Sequence, residues 1–228
     1  MNPCVVATNK ILLQNTLSFN GTALVRYQIE YPQFEAPLYK RQLSVVNRFY
    51  AVRARRFKVY CETTLFDMAV EQYLDDVKND FPVREFEAML TYRQTLCSAC
   101  VLSLYSDRYE YTGGAHGNTV RDSQTWNLQS AGLIRLRQLV GCKPNGRTYL
   151  ITEVNKQIAK DPSGYFDNYP ALVAGTFNKN SFYCTEEGIV IYFQQYDIAP
   201  YSSGIPEFPL PYSGCVTPPQ ETCLSCGL

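Results

Sequence analysis

Any chemistry done by this 228-residue chain would fall to two CxxC pairs, a single histidine and a glycine-rich loop. Cys97-Ser98-Ala99-Cys100 and Cys223-Leu224-Ser225-Cys226 together offer four thiolates, the ligand set of a structural zinc. The first pair, however, lies at the edge of an alternating segment, where residues three apart point to opposite faces, and neither pair has a histidine nearby. It does not open a helix after a strand either, as a thioredoxin-like redox site would. The nine cysteines form an odd, irregularly spaced set rather than the even framework of a small secreted domain of under about 100 residues. They read as reduced, buried thiols, which favours a reducing compartment.

His116 is the only histidine, so a two-histidine metal site is excluded, and a Cys-His or Ser-His dyad is the remaining nucleophilic option. Ser202-Ser203-Gly204 lacks the GxSxG elbow. The loop Thr112-Gly113-Gly114-Ala115-His116-Gly117-Asn118 lacks the Lys-Ser or Lys-Thr of a phosphate loop and leads into a strand, so no helix N-terminus faces an anion there. Its histidine reads as a loop anchor bonded to backbone groups. Glu186-Glu187 and Asp75-Asp76 are adjacent pairs that cannot face one another across a substrate. The residues thus assemble no complete catalytic constellation. The expectation is a protein that is not an enzyme, with no metal and no cofactor, against the alternative of a hydrolase using His116.

Tyr192 to Tyr212 differs in kind. Tyr192, Tyr196, Tyr201, Phe208 and Tyr212 alternate with Pro200, Pro206, Pro209 and Pro211 around Ser202-Ser203-Gly204. Rigid aromatics and prolines lose little entropy on binding, so the segment reads either as a recognition patch or as a proline-punctuated edge strand.

The elements that must position these residues follow from periodicity. Ala23 to Tyr31 alternates as a half-buried strand ended by Pro32. Leu43, Val46, Tyr50, Ala54, Phe57, Cys61, Leu65 and Met68 recur at steps of three and four along a helix from about Leu38 to Lys78. Such a helix is roughly 60 Å long, which calls for a bend or break near Glu62 to Thr64. Its basic run, Arg53 to Lys58, reads as a solvated face. Val83 to Thr91 and Cys100 to Tyr111 suggest a hairpin around the polar link Tyr92 to Thr95. A strand over Val120 to Leu128, a helix through Leu150 and Ile158 ending before Pro162, a hairpin of Phe182–Cys184 with Gly188–Phe193, and a last strand over Pro206 to Tyr212 complete the series. Beyond Gly214 the composition suggests an extended or flexible tail. The fold class expected is α+β, with mostly antiparallel sheets, one long and one shorter amphipathic helix.

Lys plus Arg equals Asp plus Glu at 21 each, so no global field steers the chain to nucleic acid. No apolar run approaches the roughly 20 residues of a membrane span, and the N-terminus lacks signal-peptide character, which points to a cytoplasmic protein.

Two blocks carry a resemblance: YTGGAHGNT from Tyr111, and FYCTEEGIVIYFQQYDIAPYSSGIPEFPLPYS from Phe182. They are similar to the RsiV/PdaC-type family, the domain of unknown function DUF3298 with a DUF4163-like N-terminal part, over about Leu17 to Ser213. The resemblance implies a strand-plus-long-helix module over 1–95, a DUF3298-like α+β module over 96–213 and a Cys/Pro tail over 214–228. It implies a non-catalytic binding or sensor protein whose partner is lysozyme or a cell-wall fragment, and relatives that are extracytoplasmic. The residues it singles out for binding are Tyr111, Gly113, Gly114, His116 and Asn118 in the loop, and Tyr196, Pro200, Tyr201, Ile205 and Pro206 in the second block. A transmembrane helix, a sigma-binding segment and a deacetylase domain are not seen, so the family's signalling role does not transfer. A cytosolic structural or oligomeric module is the third reading, and the sequence leaves the oligomeric state open.

Overall fold

The computed structural model describes residues 6–142 and 145–224, which form an α+β fold of two compact units. The first unit comprises Val6–Tyr92 and Ser106–Val120; the second comprises Arg93–Tyr105 and the described part of 121–224. Six strands hydrogen-bond in chain order, β1 (Ala7–Phe19), β2 (Thr22–Glu35), β3 (Phe86–Ser98), β4 (Val101–Tyr111), β5 (Asn118–Asn127) and β6 (Gly132–Leu133).

In the first unit β1 and β2 pair antiparallel across Asn20-Gly21, with left-handed φ of 50° and 82°. That is the Asn-Gly turn whose twist matches a hairpin. On β2, Val25, Tyr27 and Ile29 are buried as their alternation predicts. The strand runs through Pro32 to Glu35 instead of ending there. Pairing with β3 covers only Val25 to Ile29, so beyond it β2 is an edge on that side and accommodates a residue without N–H.

The chain then enters one long helical run: α1 (Lys40–Tyr60), a π-helical turn (Cys61–Leu65) and α2 (Phe66–Asn79). It serves as the crossover that a parallel β2–β3 pair requires. Leu43, Val46, Tyr50, Ala54, Phe57, Cys61 and Leu65 are buried, the stripe read from sequence. The π turn falls where an interruption is expected, and it re-phases the stripe: Ala69 is buried while Met68 is 45% exposed. The extra residue of an i→i+5 turn moves the inward position on by one. Ala54, Phe57, Cys61, Leu65 and Ala69 pack with Leu24, Val25, Tyr27, Ile29, Phe86 and Ala88 as this unit's core.

The β3–β4 turn is also displaced from expectation. It falls at Ala99, with φ of 51°, and β3 continues through Tyr92 to Thr95. Polar side chains do not stop a half-exposed strand, and Thr95 Oγ1 donates to the Cys184 carbonyl at 2.7 Å.

The second unit adds α3 (Leu136–Leu139), α4 (Gly146–Ile158), α5 (Tyr169–Thr176) and an antiparallel sheet ordered β7 (Phe182–Cys184), β8 (Gly188–Tyr192), β9 (Glu207–Pro211). Every residue of β8 is buried, while β9 is an edge, the position that tolerates Pro209 and Pro211.

The thiol reading is overturned. Cys100 is bonded to Cys223, Cys142 to Cys215, and Cys97 is also in a disulfide. Cys61 and Cys184 are the free, buried cysteines among the described residues; Cys4 and Cys226 lie outside them. Linear spacing is blind to partners 123 and 73 residues apart. The same bonds hold down residues 214–224, which pack rather than trail. Val216 is 1% exposed and bridges to Val140, Asn127 Nδ2 donates to the Thr222 carbonyl at 3.0 Å, and Gln129 brackets the Leu224 backbone. No helix among the described residues is long and apolar enough to cross a membrane.

Candidate binding site

The ten residues singled out from sequence fall into two groups, one in each unit. In the first unit, Tyr111 ends β4, Gly113, Gly114 and His116 occupy the following loop, and Asn118 begins β5. Gly114, His116 and Asn118 are exposed, and Tyr111 and Gly113 half-buried. Arg84 Nη1 donates to the Gly113 carbonyl and lies 3.4 Å from that of Gly114. The loop therefore turns carbonyl oxygens toward a cation, the opposite of an anion nest. His116 Nδ1 sits 3.0 Å from the Gly117 carbonyl, so the imidazole donates to its neighbour's backbone.

In the second unit the loop after β8 is held from both ends. The Phe193 N–H donates to the Pro206 carbonyl at 3.0 Å, and the Gln194 N–H to the Asp197 carboxylate at 2.8 Å. Burial pushes the Asp197 carboxyl up, partly offset by that N–H. Ile198 and Ala199 are buried anchors, and Pro206 is buried with them, so it stiffens the loop rather than offering surface. Ile205 packs on Tyr183, Val190 and Tyr192. The side chains left outward are Tyr196, 48% exposed on a backbone with φ of 66°, and half-buried Pro200 and Tyr201. The rings of Tyr196 and Tyr201 lie 6.1 Å apart, tilted by 33°.

Sequence reasoning did not find the neighbour of this loop. An open depression of about 360 Å³ is lined by Pro162, Ser163, Tyr165, Phe166, Asp167 and Tyr169. It is tied to the loop by the Phe166 N–H, which donates to the Ile198 carbonyl at 3.1 Å, and by Ser203 Oγ, which donates to the Gly164 carbonyl at 2.8 Å. Tyr165 is seated from below by Phe208, 6.2 Å between centroids, and stands 6.3 Å from Tyr169. Among the described residues the Asp167 carboxylate has no hydrogen-bond partner. The one local signal was the aromatic density of Tyr165-Phe166-Asp167-Asn168-Tyr169 after Pro162.

Arg121 was likewise missed. Its guanidinium stacks 3.7 Å over the Tyr105 ring and pairs with Glu207, while the Gln194 amide spans its backbone N–H and carbonyl at 2.9 and 2.7 Å. Burial and then the Glu207 charge push the Tyr183 hydroxyl far above its ordinary value. These groups satisfy one another and brace the loop. No group of three or more His, Cys, Asp or Glu among the described residues is placed to hold a metal. Chemically, the depression sets aromatic faces beside a carboxylate and hydroxyls, groups that suit contact with an amphiphilic ring.

Comparison with known proteins gives two family matches. Residues 142–213 match the model of a protein family of unknown function, DUF3298, and residues 20–119 match the model described as deacetylase PdaC. A crystal structure of a DUF3298 family member from Bacteroides fragilis superposes with a TM-score of 0.73 at 18% identity, over 97% of each chain. A DUF3298 family protein from Pseudomonas aeruginosa PAO1 gives 0.58 at 16% identity, over 95% of this chain and 96% of that one. No curated protein matches. The DUF3298 resemblance is supported, and the likeness to the solved structures is one of fold.

Proposed function

We propose that this chain, a DUF3298-type protein by its 142–213 segment and its fold, is a non-catalytic binding module that recognises a cell-wall glycan fragment. The observation that carries the reading is the depression lined by Tyr165, Tyr169 and the exposed Asp167, which hydrogen bonds from Phe166 and Ser203 tie to the loop that presents Tyr196 and Tyr201. Aromatic faces pack against the C–H face of a sugar ring, and a carboxylate without a protein partner accepts from its hydroxyls or amide. A rigid loop lowers the entropy cost of that contact. Lysozyme, the partner that RsiV resemblance implies, is the competing ligand.

Calorimetry of the full chain against N-acetylated muropeptides and against lysozyme is the test. Muropeptide binding that weakens on the order of tenfold in Tyr165→Ala, a loss of about 1.4 kcal/mol, is expected. Silence with muropeptides, or binding indifferent to Tyr165 and Asp167, would sink the glycan reading, and lysozyme binding alone would replace it. Acetate released during the titration would overturn the non-catalytic half, since the family matching residues 20–119 is described as a deacetylase.

The disulfides support an oxidising compartment rather than the cytoplasm, where thiols are kept reduced.

A further inference from the structure

The outer side of the long helix is not an ordinary solvated face. Val45, Val52 and Val59, at intervals of seven, are 51%, 36% and 57% exposed on the side away from the core. A seven-residue interval drifts only about 20° per repeat on an α-helix, so the three valines form one stripe. Arg41, Arg48 and Arg55 keep the same interval along one edge of it, and Arg56 flanks the other.

Charge along the run is segregated. Lys40–Tyr60 holds seven cations and no carboxylate, whereas the 20 residues that follow hold six carboxylates and one lysine. On α2 the exposed apolar side chains Met68 and Leu74 stand among Asp67, Glu71 and Asp75. Among the described residues no ion pair engages Arg41, Arg48, Arg55, Arg56, Asp67, Glu71 or Asp75. Helices of this charge density ordinarily satisfy such groups with their own i,i+4 pairs, which this segregation prevents.

We propose that this face docks a second copy of the chain in antiparallel orientation, α1 of one protomer lying along α2 of its partner and the reverse. Two-fold pairing in this sense sets each arginine row against the partner's acidic row, and the valine stripe against Met68 and Leu74. Apolar residues at seven-residue spacing with flanking charges that choose orientation are the logic of a helix–helix seam. A parallel pair would set like charge on like. An anionic membrane or polyanion would be drawn to α1 and repelled by α2 in the same run.

The experiment is sedimentation of the full chain at low and high salt, for the parent, for Arg48→Glu/Arg55→Glu and for Glu71→Lys/Asp75→Lys. The four positions are exposed and lie outside the binding surface described above. The parent sediments as a dimer at micromolar concentration and dissociates as salt rises. Each charge-reversed variant is monomeric with an unchanged circular-dichroism spectrum. An equimolar mixture of the two restores the dimer mass, because the altered α1 of one then faces the altered α2 of the other. A monomeric parent at low salt, variants that stay dimeric, or a mixture that stays monomeric would each overturn the proposal; so would a monomer that instead co-sediments with anionic vesicles.

Discussion

Water does not reach the thiols of Cys61 and Cys184. Burial pushes both up to about 12 from the ordinary 9.0, with the charges of Glu110 and Glu62 adding to the effect at Cys61. Burial and Glu110 raise the Tyr60 hydroxyl to about 12 as well. In each case folding favours the neutral form, so the contribution is complete below the unfolded value and is lost as pH rises through the folded one. Stability is therefore expected to fall progressively between about pH 9 and 12, as read by urea melts, while iodoacetamide leaves both thiols unlabelled at neutral pH until denaturant is added. Prompt labelling of the native protein would show the burial to be wrong. Glu62 has the opposite sense: Lys58 and then Tyr27, whose hydroxyl donates to it at 2.6 Å, hold its carboxyl below the usual range. That contribution is present above the ordinary carboxylate value and lost as acid takes pH through the lowered one. None of this environment was legible in the sequence, where Cys61 was one apolar position of a helical stripe.

At the scale of elements, much was legible because local pattern and tertiary demand agree. The buried stripe of α1, the alternation of β2 and the β7–β8 hairpin come straight from side-chain period. What escaped did so for identifiable reasons. Met68 left the stripe because a π turn adds a residue that no three-and-four rule contains. β1 went unseen because Lys10, Gln14, Asn15 and Thr16 dilute its alternation of Ile11, Leu13, Leu17 and Phe19, although Asn20-Gly21 marked the turn. The Arg121–Glu207 pair spans 86 residues, and no spacing rule reaches that far. The second block of the resemblance also contains a position with a steric reason for its residue. A Cβ on Gly188 would lie 2.1 Å from the Leu210 carbonyl oxygen and 2.9 Å from Pro211 Cα. Gly188→Ala is expected to push β8 and β9 apart and to cost about 1–3 kcal/mol in denaturant melts. Parent-like stability would mean that this edge strand gives way freely.

At the scale of the whole chain, the disulfides decide how residues 214–224 are held. Each closes a long loop and stabilises by about 2–4 kcal/mol through the unfolded state. For a protein of this size about 1 kcal/mol moves Tm by roughly 2–4 °C, so dithiothreitol is expected to lower Tm by roughly ten degrees or more. An unchanged melting curve after full reduction would show that residues 214–224 hold by packing alone. The Cys100–Cys223 bond also closes the chain from 100 to 223, most of the second unit together with Ser106–Val120 of the first, into a covalent ring. A protease that cuts one exposed loop between those two cysteines opens the ring without dividing the molecule. Both pieces remain on one covalent assembly, and a nick beside the Tyr165–Tyr169 depression leaves it attached to the rest of the chain.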